Sequence, residues 1–559
     1  MVEVNAALIH GFEMQFSNKQ VLIVEDQRPF LLLLKGLMHS MGASDVVTKS
    51  SAEQAVSLCK KHKFDIVICD LHLGAKNKNG YELIEELRTR RLIGPTSVFI
   101  LISADSARPV VLGSIERRPD DFLIKPFSQV QLKSRIIRAW QKRQFLQHVF
   151  NLIEQGEINS AIDQIETLLE NPRHYKGHCE QLLVELYWRI SQPEKALDVL
   201  RSYIDGKPVL WAQVAIGRSY LLLNEYEKAI SVAKKILKRN RFNADAHDML
   251  AQAHQALEAG EKALEAIKEA IKLSPFSLPR HFKACEIGRQ NDDLILAATS
   301  SQAIWDLSKR TVNKKSLHWC GIIRSLLDVA EFAEDKKQRN KYQQEALLTL
   351  QRGKFDEHLQ KVDREFDVDI FGNIVNARIS AIDGKLIDAK RHLNTSQTLL
   401  DDKYSEVPTA FIPDSIKVMY KLGEYDDALQ LNSILSSRGD ELDQNSVNML
   451  ETQAKNAQKN LASYQQFNRE GIQHYQQQDY ERAKASFALA QGFAPVNTGV
   501  ALNLLQCLLQ IAIQEDKAEM KLINECKRLF KLIDDMTLKA PYKEKYENLR
   551  DELSKYIGF

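Results

Sequence analysis

Small residues that return at a fixed interval are the strongest constraint on what this 559-residue chain can fold into. Ala196, Ala229 and Ala263 lie 33 and 34 residues apart, and Tyr187, Tyr220 and His254 repeat the same steps upstream. An alanine where two helices must approach closely, recurring with this period, predicts stacked helix–turn–helix units, none of which can bury its apolar face alone. NEYEKAI (224–230), GEYDDAL (423–429) and QDYERAK (478–484) share an aromatic three residues before the alanine, and each leads into a second helical pattern. Units are expected around Ala161, Ala196, Ala229, Ala263, Ala428 and Ala483, with a weaker one at Ala389; Pro208 and Pro275 close two of them. Only 23 Gly and 14 Pro in the chain agree with a mostly helical array rather than an all-β or disordered one.

Residues 20 to about 127 have a different texture. VLIV (21–24), IVIC (66–69), VFILI (98–102) and FLI (122–124) are continuous apolar runs suited to strands buried on both faces, and Val46–Val47 fit a weaker strand at the sheet edge. Helical patterns separate them at Pro29–Met41, Ser51–Lys61, Gly80–Arg90 and roughly Ala107–Arg117. This alternation predicts an α/β doubly wound parallel sheet. From Ser128 the strand texture ends, and no Pro or Gly occurs before Gly156, so one continuous, stiff helix is expected to join the two halves.

Parallel sheets place ligand sites beyond the carboxyl ends of their strands. At those ends lie Glu25 and Asp26, Asp70, Ser103 and Lys125. Crowded carboxylates call for a hard cation, and Mg2+ prefers such oxygen ligands. A metal fits between Asp26 and Asp70, leaving Lys125 to hold a second anion near Asp70; a carboxylate so placed is equipped to attack phosphorus.

The motifs VLIVEDQ (21–27), DIVICDLHL (65–73), FILISADS (99–106) and DFLIKPF (121–127) make residues 20–140 resemble the receiver domain of two-component response regulators, a CheY-like, flavodoxin-like fold. The resemblance implies strand order 2-1-3-4-5 and a Lys125–Pro126 peptide in the cis form. By the same resemblance Asp70 is the phosphoacceptor. Asp26 would ligate magnesium directly, Glu25 through water, and the His72 backbone carbonyl would add an oxygen. Lys125 would pair with the phosphoryl group, Ser103 would hydrogen-bond it, and Phe122 would be the switch aromatic. One departure stands out: the loop Gly80 follows Asp70 by 10 residues rather than the family's eight, through the basic stretch GAKNKN. The repeats, clearest at 177–276 and 464–497, resemble the tetratricopeptide (TPR) family.

The expected organisation is an N-terminal extension (1–18), a receiver (19–140), TPR-like repeats (141–277), divergent helices (278–408), further TPR-like repeats (409–497) and capping helices (498–559). Residues 278–408 and the Gln/Asn-rich 441–478 read as irregular helices, the latter as a break between two stacks. Other chemistries find little support. Lys plus Arg number 76 against 74 Asp plus Glu, too balanced for bulk binding of phosphate backbones. Glu345-Ala346-Leu347 and RGDEL (438–442) echo cyclic-dinucleotide enzymes in a few letters only, inside helical texture. Seven scattered cysteines without a CxxC, no basic leader and no apolar run of membrane-spanning length point to a soluble, cytoplasmic protein with no membrane or nucleic-acid partner. The expected function is a response regulator without a separate catalytic output. A sensor histidine kinase or phosphotransfer protein loads Asp70, and the repeats bind a protein partner or change homodimerisation. The alternative is a phosphate sink or phosphorelay intermediate that the repeats only localise.

Overall fold

The β-branched runs pair as their pattern requires. In the computed structural model, β1 (Gln20–Val24), β2 (Asp45–Lys49), β3 (Ile66–Asp70), β4 (Val98–Ser103) and β5 (Asp121–Ile124) form one parallel sheet in the order β2-β1-β3-β4-β5. The model describes residues 14–557 except 75–76, 106, 108–118, 173–174, 205, 207–208, 363–365, 439–443, 515–519, 535–537 and 539. The helix expected near 107–117, most of the N-terminal extension and Pro208 lie outside the described residues.

Every residue of β3 and β4 is buried, so both sheet faces must be covered. Helices α1 (Arg28–Ser40), α2 (Ala52–Cys59), α3 (Gly80–Thr89) and α4 (Gln129–Phe145) are the described helices of this layer. Ile23, Ile68, Ile100 and Ile102 join Leu34, Met38, Ile136 and Trp140 in one cluster, while Leu22, Val67, Phe99 and Leu101 join Ala55, Leu83 and Leu87 in the other. Local chemistry sets the helix starts. Pro29 sits in the first turn of α1, the Ser51 hydroxyl accepts from the Gln54 amide, and Asn79–Glu82 and Ser128–Gln131 form reciprocal capping boxes.

The expected single helix over 128–155 is two. α4 ends at Phe145 and α5 (Gln147–Gln155) follows a turn at Leu146. Ile136, Ala139 and Trp140 belong to the sheet's core, whereas Leu146 and Val149 belong to a separate core with Ala161, Ile165 and Leu183. Two cores drawing on one amphipathic stretch bend it where ownership changes. Gly156 then terminates α5 in the left-handed region, φ 87°.

The remaining described chain is helical and falls into two compact units: residues up to 293 with 306–314, and 294–305 with 315–559. In the first, helices Lys176–Arg189 with Pro193–Ile204, Leu210–Leu222 with Tyr226–Arg239, and Ala244–Ala256 with Gly260–Leu273 pack as successive pairs. The period alanines Ala161, Ala196, Ala229 and Ala263 are fully buried, as the close approach of paired helices requires. In the second unit, the stretch expected to be irregular contains regular pairs, Ser316–Glu331 with Lys336–Gly353 and Val368–Ile382 with Leu386–Lys403. Beside an apolar cluster that includes Trp319, Ile323, Phe371 and Phe411, these helices carry a buried ion network. Arg324 donates to Asp414 at 2.8 and 3.0 Å, and Lys417 pairs with Asp328 at 2.6 Å and Glu331 at 3.1 Å. Arg378 pairs with Asp328 and lies 3.3 Å from Asp414. Burial opposes ionisation of Glu331, but Lys417, Arg378 and Lys421 outweigh it and hold the carboxyl below its ordinary range.

Residues 444–476 are likewise one 33-residue helix rather than a break. Met449, Leu450 and Tyr464 give it a buried side, and Gly471 leaves space for the Phe487 ring, which would lie 2.7 Å from an added Cβ. All seven cysteines are buried free thiols. No described helix is long and apolar enough to cross a membrane.

Candidate functional site

The parallel register delivers four chain segments to one edge of the sheet. Glu25 and Asp26 follow β1, Asp70 ends β3, Ser103 ends β4 and Lys125 follows β5. The Lys125 ammonium donates to Asp70 Oδ2 at 2.8 Å and to Glu25 Oε2 at 2.9 Å. It also sits 4.0 Å from the centre of the Phe30 ring, which is packed edge-on against Phe127. The Lys125–Pro126 peptide is cis.

Glu25, Asp26 and Asp70 can bring one carboxylate oxygen each within 4.8 Å of one another. Glu25 and Asp70 are buried and Asp26 is exposed, so the cluster opens to solvent on the Asp26 side. Three carboxylates face one ammonium, which leaves the cluster short of positive charge. The deficit is visible in Glu25: burial, with the Asp70 carboxylate adding to it, pushes its carboxyl up to about 7 against the opposing Lys125 hydrogen bond. A hard divalent cation would supply the missing charge, and the oxygen donor set suits magnesium.

The other expected residues occupy distinct positions. Ser103 is fully buried, and its hydroxyl accepts from the Asp105 amide at 3.0 Å. The His72 amide approaches Asp70 Oδ1 at 3.4 Å. Phe122 pairs in register with Leu101 and packs, half-buried, against the cluster containing Leu73, Tyr81 and Ile84.

Two sets of contacts were not read from the sequence. The basic stretch before Gly80 is tied down at Lys78, whose backbone amide donates to Glu53 at 3.0 Å while its ammonium pairs with the buried Glu86. Gly80 itself is pressed against β3 and β4, and its amide donates to the Leu71 carbonyl at 2.9 Å. At the opposite end of the sheet, buried Asp120 accepts from the Phe99 amide at 2.8 Å, Arg88 at 3.1 Å and Arg143 at 2.6 Å. Arg143 reaches on to the Pro95 carbonyl, so α4 is riveted to the sheet by a charge pair as well as by its apolar face. An acidic residue just before a strand, with arginines spaced along two helices, was the available signal, and spacing alone does not pair them.

Comparison with known proteins agrees with this geometry. Residues 21–137 match the family model of the response regulator receiver domain, and residues 214–277 match a tetratricopeptide repeat. The alginate biosynthesis transcriptional regulatory protein AlgB of Pseudomonas putida is 28% identical over 153 residues, covering 27% of this chain and 32% of that protein. The transcriptional regulatory protein YvrH of Bacillus subtilis is 28% identical over 128 residues, covering 23% of this chain and 51% of that one. The chain thus spans about a third of the first of these relatives and about half of the second. A solved receiver domain, that of sensor histidine kinase PA1611 from Pseudomonas aeruginosa with a magnesium ion in its active-site cleft, is 24% identical. It covers 22% of this chain and 97% of its own, with a TM-score of 0.20.

Proposed function

From a response regulator receiver domain joined to tetratricopeptide repeats, we propose a phosphorylation-gated binding protein. The observation that carries this reading is the Lys125 bridge between Asp70 and Glu25 beside the exposed Asp26. In the proposed reaction an Asp70 carboxylate oxygen attacks the phosphorus of a phosphohistidine on a sensor kinase or phosphotransfer protein. The N–P bond breaks as the O–P bond forms, and imidazole is the leaving group. Asp26, Asp70 and the His72 carbonyl, with Glu25 through water, would hold magnesium, which would supply positive charge near the transferring oxygens. Lys125 stays at Asp70 as counter-charge, and Ser103 turns from the Asp105 amide to a phosphoryl oxygen. Phe122 moves with it, and the face it occupies changes shape.

The proposed division places the receiver at 19–140 and the binding array in the repeats beyond it; no separate catalytic output domain is identified. Acetyl phosphate with magnesium should label the intact chain, and the label should disappear in Asp70→Asn and on chelation. A pull-down with the full chain, with and without beryllofluoride, then separates gated binding from a phosphate sink. Partner capture that is insensitive to beryllofluoride would favour the sink.

A further inference from the structure

The basic stretch that displaces Gly80 makes a contact that its neighbours in the receiver do not explain. The Asn77 carbonyl accepts from the Arg310 guanidinium at 3.1 Å, and the Glu85 carboxylate accepts from the Asn313 side-chain amide at 2.7 Å. Arg310 and Asn313 lie in Asp306–Lys314, a segment more than 220 residues further along the chain, in the same compact unit as the receiver. A second, apolar contact comes from the repeats. Phe276, just after the helix Gly260–Leu273, packs against the cluster of Leu73, Tyr81 and Ile84, the same cluster that holds Phe122. Asn77 is a residue of the lengthened loop and is otherwise engaged locally, its side chain donating to the Leu73 carbonyl at 3.1 Å. The loop begins at Asp70 and ends at Gly80, so the contact falls on the strip of backbone that leaves the phosphorylatable carboxylate.

We infer that Asp306–Lys314 and Phe276 form an intramolecular clasp on the receiver, made by Arg310 to Asn77 and Asn313 to Glu85, which stabilises the unphosphorylated form. The inference rests on the assignment of Asp70 as phosphoacceptor. Its sign follows from the state to which the contacts belong. They coexist with the Lys125 ammonium 2.8 Å from Asp70 Oδ2 and with the Ser103 hydroxyl accepting from the Asp105 amide, contacts that a phosphoryl group on Asp70 would have to replace. Interactions made in one state and weakened in another bias the equilibrium toward the first. Replacing those contacts would disturb the start of the loop that carries Asn77, so the clasp and the phosphoryl group oppose each other. Reciprocity requires each to weaken the other by the same factor.

The test uses the full chain and the double variant Arg310→Ala/Asn313→Ala. Hydrogen exchange in 77–85 should be at least fivefold faster in the variant, and Asp70 should be labelled by acetyl phosphate at least threefold faster. In the wild type, beryllofluoride with magnesium should speed exchange in 306–314. Asn313→Asp, which sets a carboxylate against Glu85, should act in the same direction without deleting a side chain. Unchanged or slower labelling in both variants overturns the clasp, as does exchange in 306–314 that ignores beryllofluoride. A wild-type chain that takes no label at all removes the Asp70 assignment itself, a result distinct from equal labelling of wild type and variants.

Discussion

Gly80→Ala tests whether the lengthened loop is held in place by close packing against the sheet. A Cβ at residue 80 would lie 2.6 Å from Leu101 Cδ1, 2.7 Å from the Asp70 carbonyl oxygen and 3.1 Å from Leu71 Cα. The Leu101 methyl can swing away at a cost of about 1 kcal/mol. The Asp70 carbonyl cannot, because it is backbone at the end of β3, in register with Ile102 of β4. Overpacking of this kind costs about 1–3 kcal/mol, against which alanine recovers somewhat under 1 kcal/mol of helix propensity. The net is about 1 kcal/mol, or roughly fivefold in the local opening equilibrium. Hydrogen exchange of the β3–β4 amides reads it directly, the Leu71 amide in particular, since it donates to the Ile102 carbonyl at 2.8 Å. Gly36→Ala is the matched control: its Cβ meets nothing within 4 Å in the exposed part of α1, so the same substitution there should stabilise by about 0.5–1 kcal/mol. Protection in Gly80→Ala within threefold of wild type would refute the packing argument.

The buried ion network gives a larger expected effect. Arg378→Met removes one of two cations from each of Asp328 and Asp414 and should destabilise the second unit by about 1.5–3 kcal/mol, read as an earlier urea transition. Because Glu331 is held below its ordinary range in the folded chain, its contribution is complete above the unfolded pKa of about 4.3 and is lost as pH falls through the lower folded value. The unfolding midpoint should therefore drop on acidification below about pH 4.3, and Lys417→Met should flatten that drop. Asp26→Asn should weaken magnesium binding in titration calorimetry by at least the roughly 10–100-fold seen for loss of a supporting partner.

Legibility differed by the kind of force involved. The sheet could be read because continuous Val and Ile runs have few alternatives, and β2 could be placed at the edge from two valines. The acidic rim followed from strand ends, since topology alone brings Glu25, Asp70 and Lys125 together. The bend at Leu146 could not be read, because amphipathic periodicity runs through it and only the ownership of Trp140 and Val149 by different cores reveals it. The pairs within 316–403 were hidden for a related reason. The first helices of the two pairs, Ser316–Glu331 and Val368–Ile382, meet partly through Asp328 and Arg378, a contact that leaves no periodic mark in the sequence. Contacts such as Arg310 to Asn77 join residues with no shared period and leave no local mark.

The seven sulfhydryls have a practical consequence. Cys59 ends α2 and Cys69 lies within β3, Cys179 and Cys285 are in the helices of the first unit, and Cys320, Cys507 and Cys526 in the second. Burial pushes Cys59 and Cys179 up to about 11 and Cys507 and Cys526 up to about 12, so these four present almost no thiolate to an alkylating reagent in the native chain. Each sulfur becomes reactive only when its own surroundings open. The order in which they are alkylated under mild denaturant is thus a built-in clock that times the melting of receiver, early repeats and late helices without any added label.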